Sequence, residues 1–447
     1  MPADLWPDPT ALGLVTDLYQ ITMMAGYAAN AMADKPAVFE LFVRRLPKNR
    51  SYLVFAGLEQ ALRDLLRLGF SDEQVSYIRG LPAFRHVPDA WFKQLRDFQF
   101  TGDVWAMPEG TIFFGGETLL RVEAPLAQAQ LAETFLLSSL AYPTLVASKA
   151  LRCVQTAGSR PLFDFGARRG HGPQAGFLCA RASYLAGFAG TSHVEAARRL
   201  EIPAIGTMAH SWIQAFPNEL EAFEAYARVF PDSTTLLVDT YDTLQGVRHA
   251  ATIPQAHAIR LDSGDLGPLA QASRTILDEA GRSEMTIVAS GDLDEWKIRD
   301  LIATGAPIDA FGVGTELITS RDAPALSMVY KLVAVDGQGR IKLAPGKKTY
   351  PGAKQVWRRL DSVGRFAGDQ VTAAYETADG IPLLQQVIAQ GHLVGDLPDL
   401  QSIRTYTLAQ GRALPENFKG LDAGPAYPVS YSQALEEEAI RVGLTTG

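Results

Sequence analysis

With 447 residues, 47% of them apolar and 20% charged, the chain has material for one large domain or two to three smaller ones around a substantial core. Its formal charge of −8 argues against nucleic acid as the main partner, since a phosphate-backbone binder shows a basic excess. No apolar run is long enough to span a bilayer, and the start MPADLWPDPT has neither the basic nor the apolar part of a signal peptide, so a soluble cytoplasmic protein is expected.

The first hundred residues read as mainly helical. DLYQITMMAGYAAN follows Thr16 as a candidate N-cap, LEQALRDLLRLGF ends at Gly69, and SDEQ, from Ser71 to Gln74, has capping-box spacing. A β-rich segment follows, with DVWAM, TIFF and LLRVEAP separated by the turn signals PEG and GGE. The two cysteines, Cys153 and Cys179, sit in apolar surroundings and read as buried free thiols; no Cys/His spacing suggests zinc.

From about residue 160 short apolar runs alternate with helical stretches: PLFDFG, PAIGTM, TLLVDT, AIRLDSG, TIVASG, DAFGVG and VYKLVAV are the β-like ones. That alternation means parallel strands with helical crossovers, covered on both faces. Nearly every run ends in a polar tail: GARRGHG, AHS, DTYD, DSGD, SGD, GVGTE. In an α/β barrel all these tails open onto one face; a doubly wound sheet would gather them along one edge. The number of consecutive tail-bearing units favours the barrel. The last hundred residues are mixed, with a hairpin region around KLAPGKKTYPGAKQVWRRL and a closing helix in SYSQALEEEAIRVGL.

Each tail has a functional and a bland reading. FGVGTE, with Gly314 and Thr315, reads equally as a phosphate cradle or a tight turn, and SGDLDEWK adds Gly291 and Asp292 in the neighbouring loop. RLDSGDL brings Arg260 and Asp262; the aspartate either binds ribose hydroxyls or Mg²⁺, or caps the next helix. Asp239 and Asp242 of DTYD would face the same way, and carboxylates beside phosphate loops suggest a Mg²⁺–polyphosphate ligand. Phe165, Arg168 and Arg169 end the PLFDFG run; adjacent arginines on a strand point in opposite directions, so one is expected in the site, as a grip for phosphate or carboxylate. His210 is either a core histidine or a nucleophile on this rim, with Asp239 to hold its tautomer.

In order along the chain, TDLYQITMMAGY, FGARRGHGP, GFAGTSHV, GTMAHSW, VDTYD, RLDSGDL and GVGTELITSRDAP resemble nicotinate phosphoribosyltransferase. The resemblance implies an irregular parallel α/β barrel of the type II phosphoribosyltransferase kind, placed at 141–339, with a second α+β domain built from both chain termini, 1–140 with 340–447. It implies an enzyme of NAD salvage that joins nicotinate to 5-phosphoribosyl-1-pyrophosphate, with ATP as co-substrate, Mg²⁺, and a homodimer with shared active sites. It makes His210 the residue phosphorylated by ATP and Asp239 its orienting partner. Asp262 would bind the ribose, and Gly291, Asp292, Gly314, Thr315 and Arg321 the phosphates. Phe165 would stack on the pyridine ring, with the partner subunit's Tyr19 over the opposite face; Arg168 and Arg260 would be the cations beside the base and the phosphoribosyl group. Ser192 stands where nicotinamide-using relatives carry an aspartate, which favours the acid over the amide. Lys347 and Lys348 are candidates to close over the phosphates. The alternatives are a nicotinamide phosphoribosyltransferase, a quinolinate phosphoribosyltransferase, and a catalytically silent nucleotide-binding barrel.

Overall fold

The computed structural model describes residues 11–343, 349–422 and 424–446 and divides into two compact units, Leu145–Pro324 and Met1–Thr144 with Ala325–Gly447. In the first unit six parallel strands lie in the order Gly190–Thr191, Leu162–Asp164, Ala310–Val313, Thr286–Ala289, Ala256–Leu261, Thr234–Leu237. The last strand of this sheet in chain order thus pairs with its first, Phe311 opposite Leu162 and Val313 opposite Asp164. Pairing of its last strand with its first is what a curled, barrel-type sheet shows, although among the described residues the ladder stays open between Gly190–Thr191 and Thr234–Leu237.

The barrel is irregular on one side. PAIGTM, expected as a strand, contributes a single parallel bridge from Ala204 to Thr191. Pro203 has no N–H to donate and Gly206 follows at once, so the contact stops at Thr191 N–H to the Pro203 carbonyl (3.0 Å) and Ile205 N–H to the Thr191 carbonyl (2.8 Å). Among the described residues no ladder joins this segment to Thr234–Leu237.

Strand alternation separates core from site. Ala258, Val288 and Ala310 form a small buried cluster with Phe163 against it. Two residues on, the same faces carry Arg260, Ser290, Gly312 and Phe165, so the period of two turns a small-residue floor into a polar rim. The crossover helices Glu219–Val229, Thr243–Ala251 and Glu295–Ala303 start on the side-chain caps Asn218, Asp242 and Asp294. Asp242, expected in the acidic group on the rim, is therefore spent on the Gln245 N–H at 2.8 Å.

The second unit is held by a seven-stranded antiparallel sheet that interleaves both termini: 338–339, Met328–Val335, Pro36–Val43, Thr118–Pro125, Asp103–Ala106, Gln385–Ala389 and 392–393. Two expectations change here. The strand Pro36–Val43 lies in a stretch that reads as mainly helical; its PAVFELFV is close to a continuous buried run and lacks the 3.6-residue period. The strand Met328–Val335, expected as the last of the barrel, pairs antiparallel with Pro36–Val43, so the barrel unit ends at Pro324 and not at residue 339.

Of the region read as a hairpin, 342–360, the strand found among the described residues is Lys354–Leu360, and its hairpin partner, Phe366–Ala373, lies beyond that region. The Ser71 capping box is present in full, while the first long helix, Leu18–Ala29, has Asp17 and not Thr16 at its N-cap position. Both cysteines are free and buried. Among the described residues no helix is long and apolar enough to cross a membrane.

Candidate active site at the carboxyl ends of the barrel strands

His210 is the first residue of the short helix His210–Gln214, just past the Thr191–Ala204 bridge. Its Nδ1 lies 3.1 Å from the Thr240 hydroxyl, and its Nε2 lies 3.9 Å from Asp262 Oδ2, with 40% of the side chain exposed. If the Thr240 oxygen accepts from Nδ1–H, the tautomer that results leaves the Nε2 lone pair facing the open rim. This corrects the expected role of Asp239, which makes no hydrogen bond to the imidazole. Asp239 Oδ2 instead accepts from the Asp262 backbone N–H (2.9 Å) and the Ser263 hydroxyl (2.6 Å), so it shapes the DSGD loop. Its other oxygen, Oδ1, is buried without a partner among the described residues.

Asp262 does not cap the following helix, whose N-cap position is Asp265. It accepts from the Ser290 hydroxyl and keeps Oδ2 toward His210. Arg260 donates to Thr207 Oγ1 (2.6 Å) and lies 3.8 Å from Asp262 Oδ1. Burial draws its guanidinium below the ordinary arginine range, Asp262 and Asp239 pull it back up, and the nearby Arg168 charge lowers it again. Arg168 is thus near enough for its charge to act on Arg260, and two neighbouring cations suit an anionic ligand. Arg168 and Arg169 sit in the single helical turn Ala167–Arg169 and both are exposed, so strand alternation does not separate them; Arg168 is the one that acts on Arg260.

The glycines have steric reasons to be glycines. Gly291 has φ +91°, and a Cβ there would run into the Asp262 carbonyl. A Cβ on Gly312 would enter the Phe165 ring, so the absent side chain is what lets that ring lie over the barrel floor. Asp292 adopts φ +48° directly after Gly291, and its carbonyl accepts from Lys297 Nζ at 2.7 Å. Gly314 precedes the short helix Thr315–Ile318, and Arg321 is tied to Glu316 at 2.9 Å with 70% of its side chain exposed.

Ser192 follows Gly190–Thr191 and is half-buried, its hydroxyl engaged with none of the described residues. Its position is set by a residue that sequence reasoning missed. The buried Asp164 carboxylate accepts from the Gly166 N–H (2.8 Å) and the Thr191 hydroxyl (2.7 Å), while its carbonyl accepts from the Ser192 N–H (2.8 Å). Burial pushes this carboxyl up, with the Gly166 and Thr191 donors opposing. Thr240, Ser290 and Thr207 were also missed; each is a small polar residue at a strand end, a signal too common to single out. Tyr19 belongs to the other unit, on the helix Leu18–Ala29, and is 48% exposed. Lys347 and Lys348 lie outside the described residues.

Among the described residues no three acidic or histidine side chains converge as a metal cage. Asp262 is the rim carboxylate that would face a Mg²⁺ ion carried in on a polyphosphate, while the buried Asp239 Oδ1 is not open to it. A cavity of about 670 Å³ opens between the helices Leu266–Glu279 and Glu295–Ala303, with Gly264, Asp265 and Gly291 at its lip.

Residues 14–141 match the nicotinate phosphoribosyltransferase N-terminal domain, 161–356 the nicotinate phosphoribosyltransferase family, and 373–438 the nicotinate phosphoribosyltransferase C-terminal domain. The chain is 47% identical over 438 residues to nicotinate phosphoribosyltransferase pncB2 of Mycobacterium tuberculosis, covering 96% of this chain and 93% of that one. It is 38% identical to the nicotinate phosphoribosyltransferase of Bacillus subtilis, covering 95% and 93%. The crystal structure of human nicotinic acid phosphoribosyltransferase superimposes with a TM-score of 0.86 at 30% identity, covering 96% of this chain and 99% of that one.

Proposed function

The chain belongs to the nicotinate phosphoribosyltransferase family, and on that footing we propose that it condenses nicotinate with 5-phosphoribosyl-1-pyrophosphate, coupled to ATP through phosphorylation of His210, in salvage of NAD. The observation that carries the ATP step is the placement of His210: a strand-end imidazole with Nδ1 on Thr240 and Nε2 open on the arginine- and glycine-lined rim.

In the ATP step, Nε2 attacks the γ-phosphorus, the bond to the β,γ-bridging oxygen breaks, and ADP leaves. The phosphohistidine adds a dianion to the rim; a Mg²⁺ ion held there by Asp262 would offset that charge. Nicotinate lies over Phe165, its carboxylate near Arg168 and Arg260, and the Ser192 hydroxyl donates to it. Asp262 accepts from ribose hydroxyls, while the loops at Gly291–Asp292 and Gly314–Thr315 offer backbone N–H groups to the 5-phosphate. The ring nitrogen then attacks C1 of the ribose and pyrophosphate departs, after which water attacks the phosphorus on His210, the N–P bond breaks and inorganic phosphate leaves, restoring the free imidazole. In the homodimer we propose, the partner subunit's Tyr19 covers the free face of the base.

Mononucleotide formation from nicotinate and from nicotinamide, each with phosphoribosyl pyrophosphate and Mg²⁺, with and without ATP, tests this. Turnover of nicotinate, stimulated by ATP and no longer stimulated in His210→Ala, is expected. Preferential use of nicotinamide would overturn the reading of Ser192, and tight binding without turnover would mark a silent barrel.

A further inference from the structure

Behind the two phosphate loops lies a cluster of charges that the reaction as described does not use. Lys149 and Arg152 project from one face of the long helix Leu126–Ala157, three residues apart. Lys149 Nζ lies 2.7 Å from Glu295 Oε2 and 2.8 Å from Asp322 Oδ1, and Arg152 Nε lies 3.0 Å from Glu295 Oε1. The side chains of Lys149 and Glu295 are fully buried, that of Arg152 is 1% exposed and that of Asp322 11%. The Trp296 ring lies 5.2 Å from the Lys149 ammonium and 5.3 Å from the Arg152 guanidinium. Burial works against the lysine charge, but Glu295 and Asp322 outweigh it and hold the ammonium above the ordinary lysine range.

Two cations and two carboxylates cancel, yet such a buried set is a poor source of stability compared with apolar packing. What it does supply is fixed geometry. Glu295 opens the helix that follows Gly291 and Asp292, and Asp322 follows Arg321, which is itself tied to Glu316 beside Thr315. Lys149 therefore stands between the stems of the two loops. Each loop also holds a non-glycine residue in a left-handed conformation, Asp292 at φ +48° and Ser320 at φ +43°. Such conformations persist only where the surroundings over-determine them.

We propose that Lys149 is a positioning residue that clasps the Gly291–Asp292 loop to the Thr315–Arg321 segment, setting the grip on the phosphoribosyl pyrophosphate phosphates but not the pocket for the base. The inference rests on the proposed reaction. Its test is steady-state kinetics of the full chain with Lys149→Met. The KM for phosphoribosyl pyrophosphate should rise roughly fivefold or more, while the KM for nicotinate stays within about twofold.

Asp322→Ala removes the most exposed member and leaves Lys149, Glu295 and Arg152 together; it should shift the same KM in the same direction, and it decides the matter if Lys149→Met does not fold. An unchanged KM for phosphoribosyl pyrophosphate, or equal rises for both substrates, would overturn the clasp. A wild-type chain that makes no mononucleotide would refute the reaction instead. Calorimetric titration of wild type and Asp322→Ala with magnesium phosphoribosyl pyrophosphate alone then decides the clasp, an equal Kd sinking it.

Discussion

At the scale of single residues the site is built from pairs whose members lie far apart in sequence. His210 meets Thr240, Arg260 meets Thr207, and Asp262 meets Ser290. Thr240→Val keeps the shape and removes the hydroxyl that fixes the imidazole. Loss of one such hydrogen bond is worth about 1.4 kcal/mol, so label transferred from γ-labelled ATP to His210 should appear about tenfold more slowly. Ser192→Asp sets a carboxylate beside the expected carboxylate of nicotinate. Like charges about 4 Å apart near a protein surface repel by about 4 kcal/mol, so the KM for nicotinate should rise roughly a hundredfold or more, with nicotinamide affected far less. An unchanged nicotinate KM would remove Ser192 from the pocket.

Elements place these residues through close backbone approach. Gly246, in the helix Thr243–Ala251, packs so tightly on the Val238 carbonyl that a Cβ would overlap it. Gly246→Ala must push that helix away from the strand end that carries Asp239 and Thr240. Overpacking of this kind costs about 1–3 kcal/mol, and the urea midpoint should fall together with activity. A stable and fully active variant would show that the strand end is set by something else. Asp164 acts at the same scale, since one buried carboxylate ties the Phe165–Arg168 turn to the Thr191–Ser192 loop.

Whole-molecule behaviour at high pH follows from the tyrosines of the unit formed by both termini. Burial, with Tyr350, Glu117 and Glu40 adding to it, pushes the Tyr431 phenol up to about 12, and Tyr330 and Tyr427 also lie above the ordinary value. Between about pH 10, where an unfolded tyrosine ionises, and about pH 12 the folded chain holds more protons than the unfolded one. Stability is therefore full below that window and falls as pH rises through it. Tyr431→Phe should flatten the fall, read as urea midpoints between about pH 9 and about pH 12. An unchanged slope would show that Tyr431 ionises as it does in the unfolded chain.

The sequence by itself determined what is local or periodic: the Ser71 capping box, the alternation of strand and helix through the barrel, and the polar tails that gather the site's chemistry at strand ends. The order of those tails was also enough to resemble a family, because motif order survives where spacing drifts. Only the tertiary structure decided which tail residue touches which. His210 and Thr240 are 30 residues apart and Lys149 and Asp322 are 173 apart, and their contact depends on how strands and helices pack around the barrel, which no local period encodes. Membership of the strand Met328–Val335 was decided in the same way: an apolar run of that length suits a parallel or an antiparallel sheet equally, and only its hydrogen-bonded partner, Pro36–Val43, settles the choice.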